Sequence, residues 1–242
     1  MKQLIVVLVL ALMLFSCSES KTNQVEQEMT SSVCLVERVD TDSLIILYPR
    51  YSRIDLVCGT MPSKGDTSVL LCAGACFTGQ CLKEFDHFNI AGDHVSGGKR
   101  YRGYRCKRNT GAFVYYDSKW KFLYQDYNAS MNDAAAKGGC AFAQEMIIHK
   151  GKLVAAVRKD SNRNQFRALC QRNESLCVIE SAKVIPYGDF KAALLRQKVQ
   201  EAIYLDMGPG WNHAWYRVNQ KSTQELHPRT HNYCTNWITF YK

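Results

Sequence analysis

One stretch late in the chain constrains the fold most, because an apolar run enters a carboxylate and then meets glycine and proline. It reads Ala202-Ile203-Tyr204-Leu205-Asp206-Met207-Gly208-Pro209-Gly210. Glycine and proline so placed can continue neither a helix nor a strand. The sequence from Tyr187 to Val199, with Asp189 in the first turn, predicts a helix that leads into this strand. Ligands in open α/β sheets bind beyond the carboxyl ends of strands, so Asp206 marks a candidate site. The alternative is that Asp206 caps a turn and the nearby aromatic residues fill a core.

The first residues predict export. Lys2 precedes an unbroken apolar run from Leu4 to Phe15, which is shorter than the roughly 20 residues of a membrane-spanning helix and typical of a signal peptide. The run ends in Leu14-Phe15-Ser16-Cys17, which resembles a bacterial lipobox. We therefore expect a signal peptide over 1–16, a lipid anchor on Cys17, a polar tether over 17–32 and one domain over 33–242. The protein would be anchored in the bacterial cell envelope, at the outer membrane. An ordinary secretory signal with an incidental Cys17 is the alternative.

The eleven cysteines fit an exported chain. Cys170 and Cys177 flank a polar turn between two predicted strands, so they are expected to form a disulfide or a close thiol pair. No Cys-x-x-Cys pair has a matching second pair, so no metal site is predicted, and no cofactor is expected. The remaining cysteines are equally consistent with buried apolar residues.

The net charge of +9 bears on the binding partner. A basic intracellular chain would suggest nucleic acid, but export argues against it. A glycan, a phosphorylated ligand or the lipid surface is the better match for the positive charge. The sequence leaves the oligomeric state open.

The middle of the chain contains many short strand patterns and few helical ones. Predicted strands include Leu44–Tyr48, Arg53–Val57 and Ser68–Cys72, and the last strand alternates cleanly over Thr235–Tyr241. A short helix is predicted over Asn132–Lys137, before two glycines. These patterns predict a single α+β domain with a mixed or antiparallel β-sheet and few helices.

Four segments in order resemble the phosphodiester glycosidase family. They are Cys72–Phe77, Gly138–Lys152, Phe166–Leu169 and Tyr187–Gly208, and the resemblance covers roughly residues 50 to 242. It implies that family's fold. Its animal member removes N-acetylglucosamine from a phosphodiester on glycans, so the resemblance also implies an enzyme that cleaves a sugar phosphodiester or a related glycan. The chain departs from the family pattern at Ala73, where asparagine is usual, and at Met207, where glycine is usual.

The chemistry that such an enzyme needs gives candidate roles to particular residues, of which Asp206, Gly208 and Arg167 match the family pattern. Asp206 would be the catalytic carboxylate, and Glu145, His94 and His213 are candidates for the general acid. Phosphate or sugar binding would fall to Arg167, Arg217, Gly208, Trp211, Asn212 and Asn236. A guanidinium next to Asp206 would lower the pKa of that carboxyl. The competing function is a non-catalytic glycan-binding or structural envelope module, with Trp211, Trp215 and Tyr216 as stacking surfaces.

Overall fold

The computed structural model describes residues 34–79, 84–103, 109–208, 210–228 and 233–242. The predicted signal peptide, the tether and Cys17 lie outside these described residues. The described part contains eighteen strands and two helices. The strands are β1 Val36–Asp40, β2 Leu44–Pro49, β3 Arg53–Cys58, β4 Val69–Gly74, β5 His94–Ser96, β6 Lys99–Tyr101, β7 Thr110–Tyr116, β8 Lys119–Tyr124, β9 Cys140–His149, β10 Lys152–Leu153, β11 Arg163–Asn164, β12 Arg167–Arg172, β13 Ser175–Ser181, β14 Ile185–Pro186, β15 Glu201–Leu205, β16 Ala214–Arg217, β17 Thr223–Leu226 and β18 Asn236–Tyr241. The helices are α1 Asn128–Ala136 and α2 Tyr187–Arg196.

Two antiparallel sheets make up most of the domain. The larger has eleven strands in the order β1-β2-β13-β12-β15-β9-β5-β6; β7 and β10 also pair with β9, and β8 pairs with β7. The smaller has five strands in the order β17-β16-β4-β18-β3, and β11 pairs with β14 separately. The expected α+β class is therefore corrected to a β-rich domain with two short helices in its described part. Alternating or fully buried strand patterns recur along the chain, whereas helical spacing extends over only about three turns at a time.

Side-chain alternation along the strands divides the interior into layers. Along β15, Ile203 and Leu205 pack in the cluster shared with the five-stranded sheet, through residues such as Ile238. Their neighbours Ala202 and Tyr204 point to the opposite face, where they pack with α2. The eleven-stranded sheet is therefore covered on one face by the smaller sheet and on the other by α2, and α1 packs elsewhere on it, against β5, β7 and β9.

Helix α2 leads into β15 as the sequence predicts. Phe190, Ala193 and Leu194 form its buried face. The helix begins after Pro186, which makes no side-chain capping bond, and Asp189 lies in the first turn. A carboxylate there interacts favourably with the positive end of the helix dipole. A short connection leads from α2 to the start of β15 at Glu201, and Asp206 follows the last residue of that strand.

The hairpin of β12 and β13 pairs Cys170 directly with Cys177. The predicted disulfide is not formed, and both residues are free thiols. They are buried in the apolar cluster beneath α2. Burial raises the pKa of Cys177 to about 12 and raises that of Cys170 as well. Both sulfurs therefore stay protonated and pack as small apolar groups.

Across the described ranges, neither helix has the length and apolar character needed to span a bilayer.

Candidate functional site

The candidate site forms where β4 and β15 end and β18 begins. The Asp206 N–H donates to the Ala75 carbonyl at 3.0 Å. The Asn236 carboxamide accepts from the Cys76 N–H at 2.7 Å and donates to the Cys76 carbonyl at 3.2 Å. A Cβ on Gly74 would lie 3.1 Å from the Trp211 carbonyl oxygen, so this close approach of two backbones favours glycine. Asn236 therefore holds the turn after β4, and its amide is not available to a ligand.

Asp206 is the buried carboxyl at the centre of this region. Its side chain accepts hydrogen bonds from the backbone N–H groups of Met207 and Thr78. Burial raises the pKa of Asp206 to about 7, although these bonds and the charges of Arg158 and Arg167 oppose the change. The pKa is thus raised, where the sequence predicted that a neighbouring guanidinium would lower it. A carboxyl with a pKa near neutrality suits general acid catalysis.

A second carboxyl, Glu145, belongs to a group that also contains Arg158, Tyr187 and Tyr204, and we call these four residues the Arg158 cluster. The Tyr187 hydroxyl donates to Glu145 Oε1 at 3.0 Å, and Arg158 Nη2 donates to Glu145 Oε2 at 3.4 Å. The Arg158 guanidinium lies over the Tyr204 ring, 4.6 Å from its centroid. The pKa of Tyr204 is raised by burial, and the charges of Asp206 and Glu145 act in the same direction. Asp206 and the Arg158 cluster therefore share one electrostatic environment.

Arg167 lies in a different group with Glu180, His227 and Asn212, which we call the Arg167 network. Its Nε donates to Glu180 Oε2 at 2.7 Å, and its Nη2 donates to the Asn212 carbonyl at 2.7 Å. The other Glu180 oxygen, Oε1, contacts His227 Nε2. Burial alone would raise the pKa of Glu180, but Arg167 and His227 outweigh it and hold that pKa below its usual value. Arg167, which the sequence predicted to bind phosphate, is thus a fully buried partner of Glu180. It acts on Asp206 only through its charge.

Four buried polar atoms in these two groups have no hydrogen-bond partner among the described residues. They are Arg158 Nε, Arg167 Nη1, Asn212 Oδ1 and the Tyr204 hydroxyl. Nearly all buried polar groups in proteins are hydrogen-bonded, to protein or to ordered water. Tyr204 interacts electrostatically with Asp206 and with both arginines, although Arg167 is paired with Leu205 and so lies on the other face of the sheet from Tyr204. Donors and acceptors of this kind are the groups that a bound sugar or phosphate would satisfy.

His94 and His213 are not part of this arrangement. His94 Nε2 lies 2.8 Å from His87 Nδ1, and His94 Nδ1 lies 2.9 Å from the Gly92 carbonyl. Burial lowers the pKa of His94 to about 4, so it remains neutral at physiological pH. His213 pairs instead with Glu225 at 3.0 Å. Both histidines therefore contact groups outside the candidate site.

Arg217 has a structural role. Its guanidinium donates to the carbonyls of Val69, Lys64 and Asp66 at 2.7–3.0 Å. It is buried and holds the turn that precedes β4. These three bonds use Nε and both N–H groups of Nη2, so they hold the guanidinium against the backbone of this turn, away from Asp206.

Trp211 lies at the edge of the site. Its Nε1 donates to Thr78 Oγ1 at 3.0 Å, and its ring lies against Tyr233 and near Gly208. Trp215 and Tyr216 are each only 1% exposed. Of the three aromatic residues proposed as a stacking surface, only Trp211 reaches the surface.

Sequence reasoning missed Arg158. It lies in the polar run Val157-Arg158-Lys159-Asp160, which resembles an ordinary solvated connection. Its guanidinium nevertheless packs over the rings of Tyr187, Tyr204 and Phe166. Only the packing of that connection against the sheet reveals the contact. Within the described ranges, no set of three His, Cys, Asp or Glu side chains is placed to hold a metal ion.

Comparison with known proteins shows that the fold of this chain is similar to that of a solved structure. No protein-family model matches the chain, and no curated protein matches it. A solved structure of the zebrafish N-acetylglucosamine-1-phosphodiester alpha-N-acetylglucosaminidase catalytic domain, auto-inhibited by its pro-peptide, is similar with a TM-score of 0.56 and 11% identity, over 85% of this chain and 81% of that one. A hypothetical protein from Synechocystis has a TM-score of 0.49 and 12% identity, over 86% of this chain and 61% of that one. The chain therefore has a β-rich fold similar to that of a glycosidase catalytic domain.

Proposed function

We propose that this protein is a glycosidase that hydrolyses a sugar phosphodiester or a related glycan, with Asp206 as the proton donor. The observation that supports the proposal most is the combination at Asp206 itself. Burial raises the pKa of this carboxyl to about 7. Both arginines that act on it, Arg158 and Arg167, have a buried N–H group without a hydrogen-bond partner in the described chain. The likeness of fold to a glycosidase catalytic domain is consistent with this assignment.

The proposed chemistry assigns a role to each group. Hydrolysis breaks the bond between the anomeric carbon and the leaving oxygen, and water supplies the hydroxyl that the sugar gains. Protonated Asp206 donates its proton as charge develops on the leaving oxygen. Glu145, held by Tyr187 and Arg158, is the second carboxyl, and it acts on the attacking water or on the anomeric carbon. Arg158 stabilises negative charge on a phosphate.

The test is turnover of N-acetylglucosamine 1-(p-nitrophenyl phosphate), followed through the reducing sugar that it releases. Asp206→Asn keeps the shape of the side chain but cannot donate the proton, so we expect a loss of about 10²–10⁴-fold in rate. Glu201→Gln is the matched control, because Glu201 is also a buried carboxyl but contacts His149 and the Lys150 N–H. Unchanged activity in Asp206→Asn would remove Asp206 from the chemistry. A large fall in its melting temperature would favour a structural role.

We also propose that the protein is exported and lipid-anchored through Cys17 in the bacterial cell envelope. The support is the sequence, in which an apolar run of signal-peptide length ends at Ser16-Cys17. Cells that express the wild type or Cys17→Ala are grown with labelled palmitate and then fractionated. Only the wild type is expected to carry label and to sediment with membranes. Label on the Cys17→Ala protein would refute the anchor.

A further inference from the structure

A pocket lies at the opposite end of the eleven-stranded sheet from Asp206. It has a volume of about 310 Å³, and its lining includes Glu37, Tyr48, Arg50, Tyr51, Trp120 and Glu174. Glu174 lies in the turn between β12 and β13, whereas Arg167 begins β12 at the other end. Six residues of extended strand separate these ends by roughly 17 Å. The pocket is therefore distinct from the proposed active site.

Aromatic rings form one side of this pocket and are held in place. The Tyr51 ring meets Phe240 edge to face, with centroids 5.3 Å apart, and the Trp120 ring meets Phe122 at 5.8 Å. Trp120 also hydrogen-bonds with the Tyr51 hydroxyl. Both rings are only partly buried. Rigid, partly exposed rings of this kind provide a flat apolar surface at little entropic cost on binding.

Three charged side chains stand at the same pocket without partners in the described chain. Glu37, Arg50 and Glu174 are exposed, and none of them forms a hydrogen bond or an ion pair through its side chain with any described residue. Two acceptors and one donor group are therefore available beside the aromatic surface. Ligand pockets commonly combine apolar walls with a few such polar groups.

The turn of the β12–β13 hairpin determines where the Glu174 side chain lies. Asn173 and Glu174 form the two-residue turn of the hairpin, with φ of 49° and 60°. Turns of this type need positive φ at both positions, which favours Asn followed by Gly. Asp117 and Ser118 adopt the same conformation in the turn between β7 and β8, so the positive φ belongs to the turn type. The turn places the Glu174 carboxylate at the pocket.

We propose that this pocket binds a carbohydrate ring, as a non-catalytic site separate from Asp206. The apolar C–H face of a sugar would pack on Tyr51 and Trp120, and its hydroxyl groups would donate to Glu37 and Glu174 and accept from Arg50. The mixed charges favour this class over others, because Arg50 opposes a cationic ligand and the two carboxylates oppose an anionic one. The volume is suited to about one sugar residue, since ligand pockets begin near 300 Å³.

The experiment is saturation-transfer NMR on the full chain with four separate probes: glucose, galactose, mannose and N-acetylglucosamine at millimolar concentration. We expect at least one sugar to receive saturation at its ring C–H protons. Glu174→Gly should weaken that binding about tenfold, because a hydrogen bond to a charged group is lost. It should nevertheless melt no lower than the wild type, because glycine adopts positive φ without strain. Trp120→Ala should abolish the binding.

A matched variant separates this proposal from simpler explanations. Ser118→Gly makes the same kind of change in the turn between β7 and β8, where Asp117 and Ser118 also have positive φ, and should leave sugar binding unchanged. The proposal is overturned if none of the four sugars binds, if tetramethylammonium binds instead, or if Glu174→Gly binds sugar as well as the wild type.

Discussion

Glu180 and Asp206 are buried carboxyls at the same end of the eleven-stranded sheet, yet their pKa values move in opposite directions. Glu180 is 2% exposed and Asp206 is 8% exposed, so burial penalises the charged form of both. Glu180 has its pKa lowered because Arg167 and His227 contact it directly. Asp206 has its pKa raised to about 7, because its nearest donors are two backbone N–H groups and the arginines act from farther away.

The strand register explains the difference. Arg167 and Glu180 are directly opposite each other on β12 and β13, so the sheet itself brings the cation to the carboxylate. Asp206 follows the last residue of β15 and has no cross-strand partner of this kind. The Glu180 carboxyl, inside the ladder, is thus ionised and paired with Arg167. The Asp206 carboxyl, just beyond a strand end, keeps a proton that it can transfer.

The largest effect is expected from breaking the Arg167 network. Glu180→Ala leaves the Arg167 guanidinium buried without its counter-charge, and this should lower the free energy of unfolding by about 3–5 kcal/mol. The measurement is urea denaturation at pH 7, compared with the wild type.

The double variant Arg167→Met/Glu180→Leu tests whether the unpaired charge is the cause. Replacing a buried ion pair with apolar residues of similar volume is often close to neutral. The double variant should therefore be more stable than Glu180→Ala alone. If it is equally unstable, the loss comes from packing and the network is not the reason for the stability.

The second prediction concerns the pH dependence of stability. The pKa of Asp206 in the folded protein is above its unfolded value of 3.8, so the folded state binds the proton more tightly. Its contribution to stability is complete below about pH 4 and is lost as pH rises through about 7, at a cost of at most about 4 kcal/mol. Urea denaturation between pH 4 and pH 8 should show this decline, and Asp206→Asn should remove it.

Glu180 provides the opposite case in the same experiment. Its pKa is lowered in the folded protein, so its contribution is present above the unfolded value of 4.5 and is lost as pH falls. Glu180→Gln should therefore flatten the acid side of the curve and leave the decline toward pH 8. A decline that persists in Asp206→Asn would show that another group titrates there.

Much of the fold could be predicted because it follows from local patterns. The apolar stripe of α2 and the strand that ends at Leu205 are clear from spacing alone. The hairpin of β12 and β13 also follows from its strand patterns and polar turn. The short helix predicted over Asn132–Lys137 is present but begins four residues earlier, at Asn128, and ends at Ala136, because the glycines after it mark its end while no strong signal marks its start.

The site was less predictable, because its contacts join distant parts of the chain. Asp206 could be found, since a carboxylate between an apolar run and glycine is a local signal. Arg158 could not be found, since the Tyr204 ring and the Glu145 carboxylate that it contacts come from other segments of the chain. Asn236 and Arg217 were predicted as ligand contacts, but both bind backbone of the turns next to β4, and a sequence does not show which polar groups the backbone will occupy.

The smallest predicted effect sharpens the comparison at Asp206. The charge of Arg158 lowers the pKa of Asp206 and so partly offsets burial. Arg158→Met removes the charge but keeps an apolar side chain against the Tyr204 ring, so the pKa should rise further, by about one pH unit. The decline in stability toward alkaline pH should move upward by the same amount, and so should the alkaline limb of any hydrolytic activity, because a proton donor works only while protonated. Arg158→Lys retains the charge and should leave both curves near their wild-type positions. If Arg158→Met leaves the stability curve in place, Arg158 does not act on Asp206. The partner of Asp206 would then have to be sought in Arg167, the other arginine whose charge acts on that carboxyl.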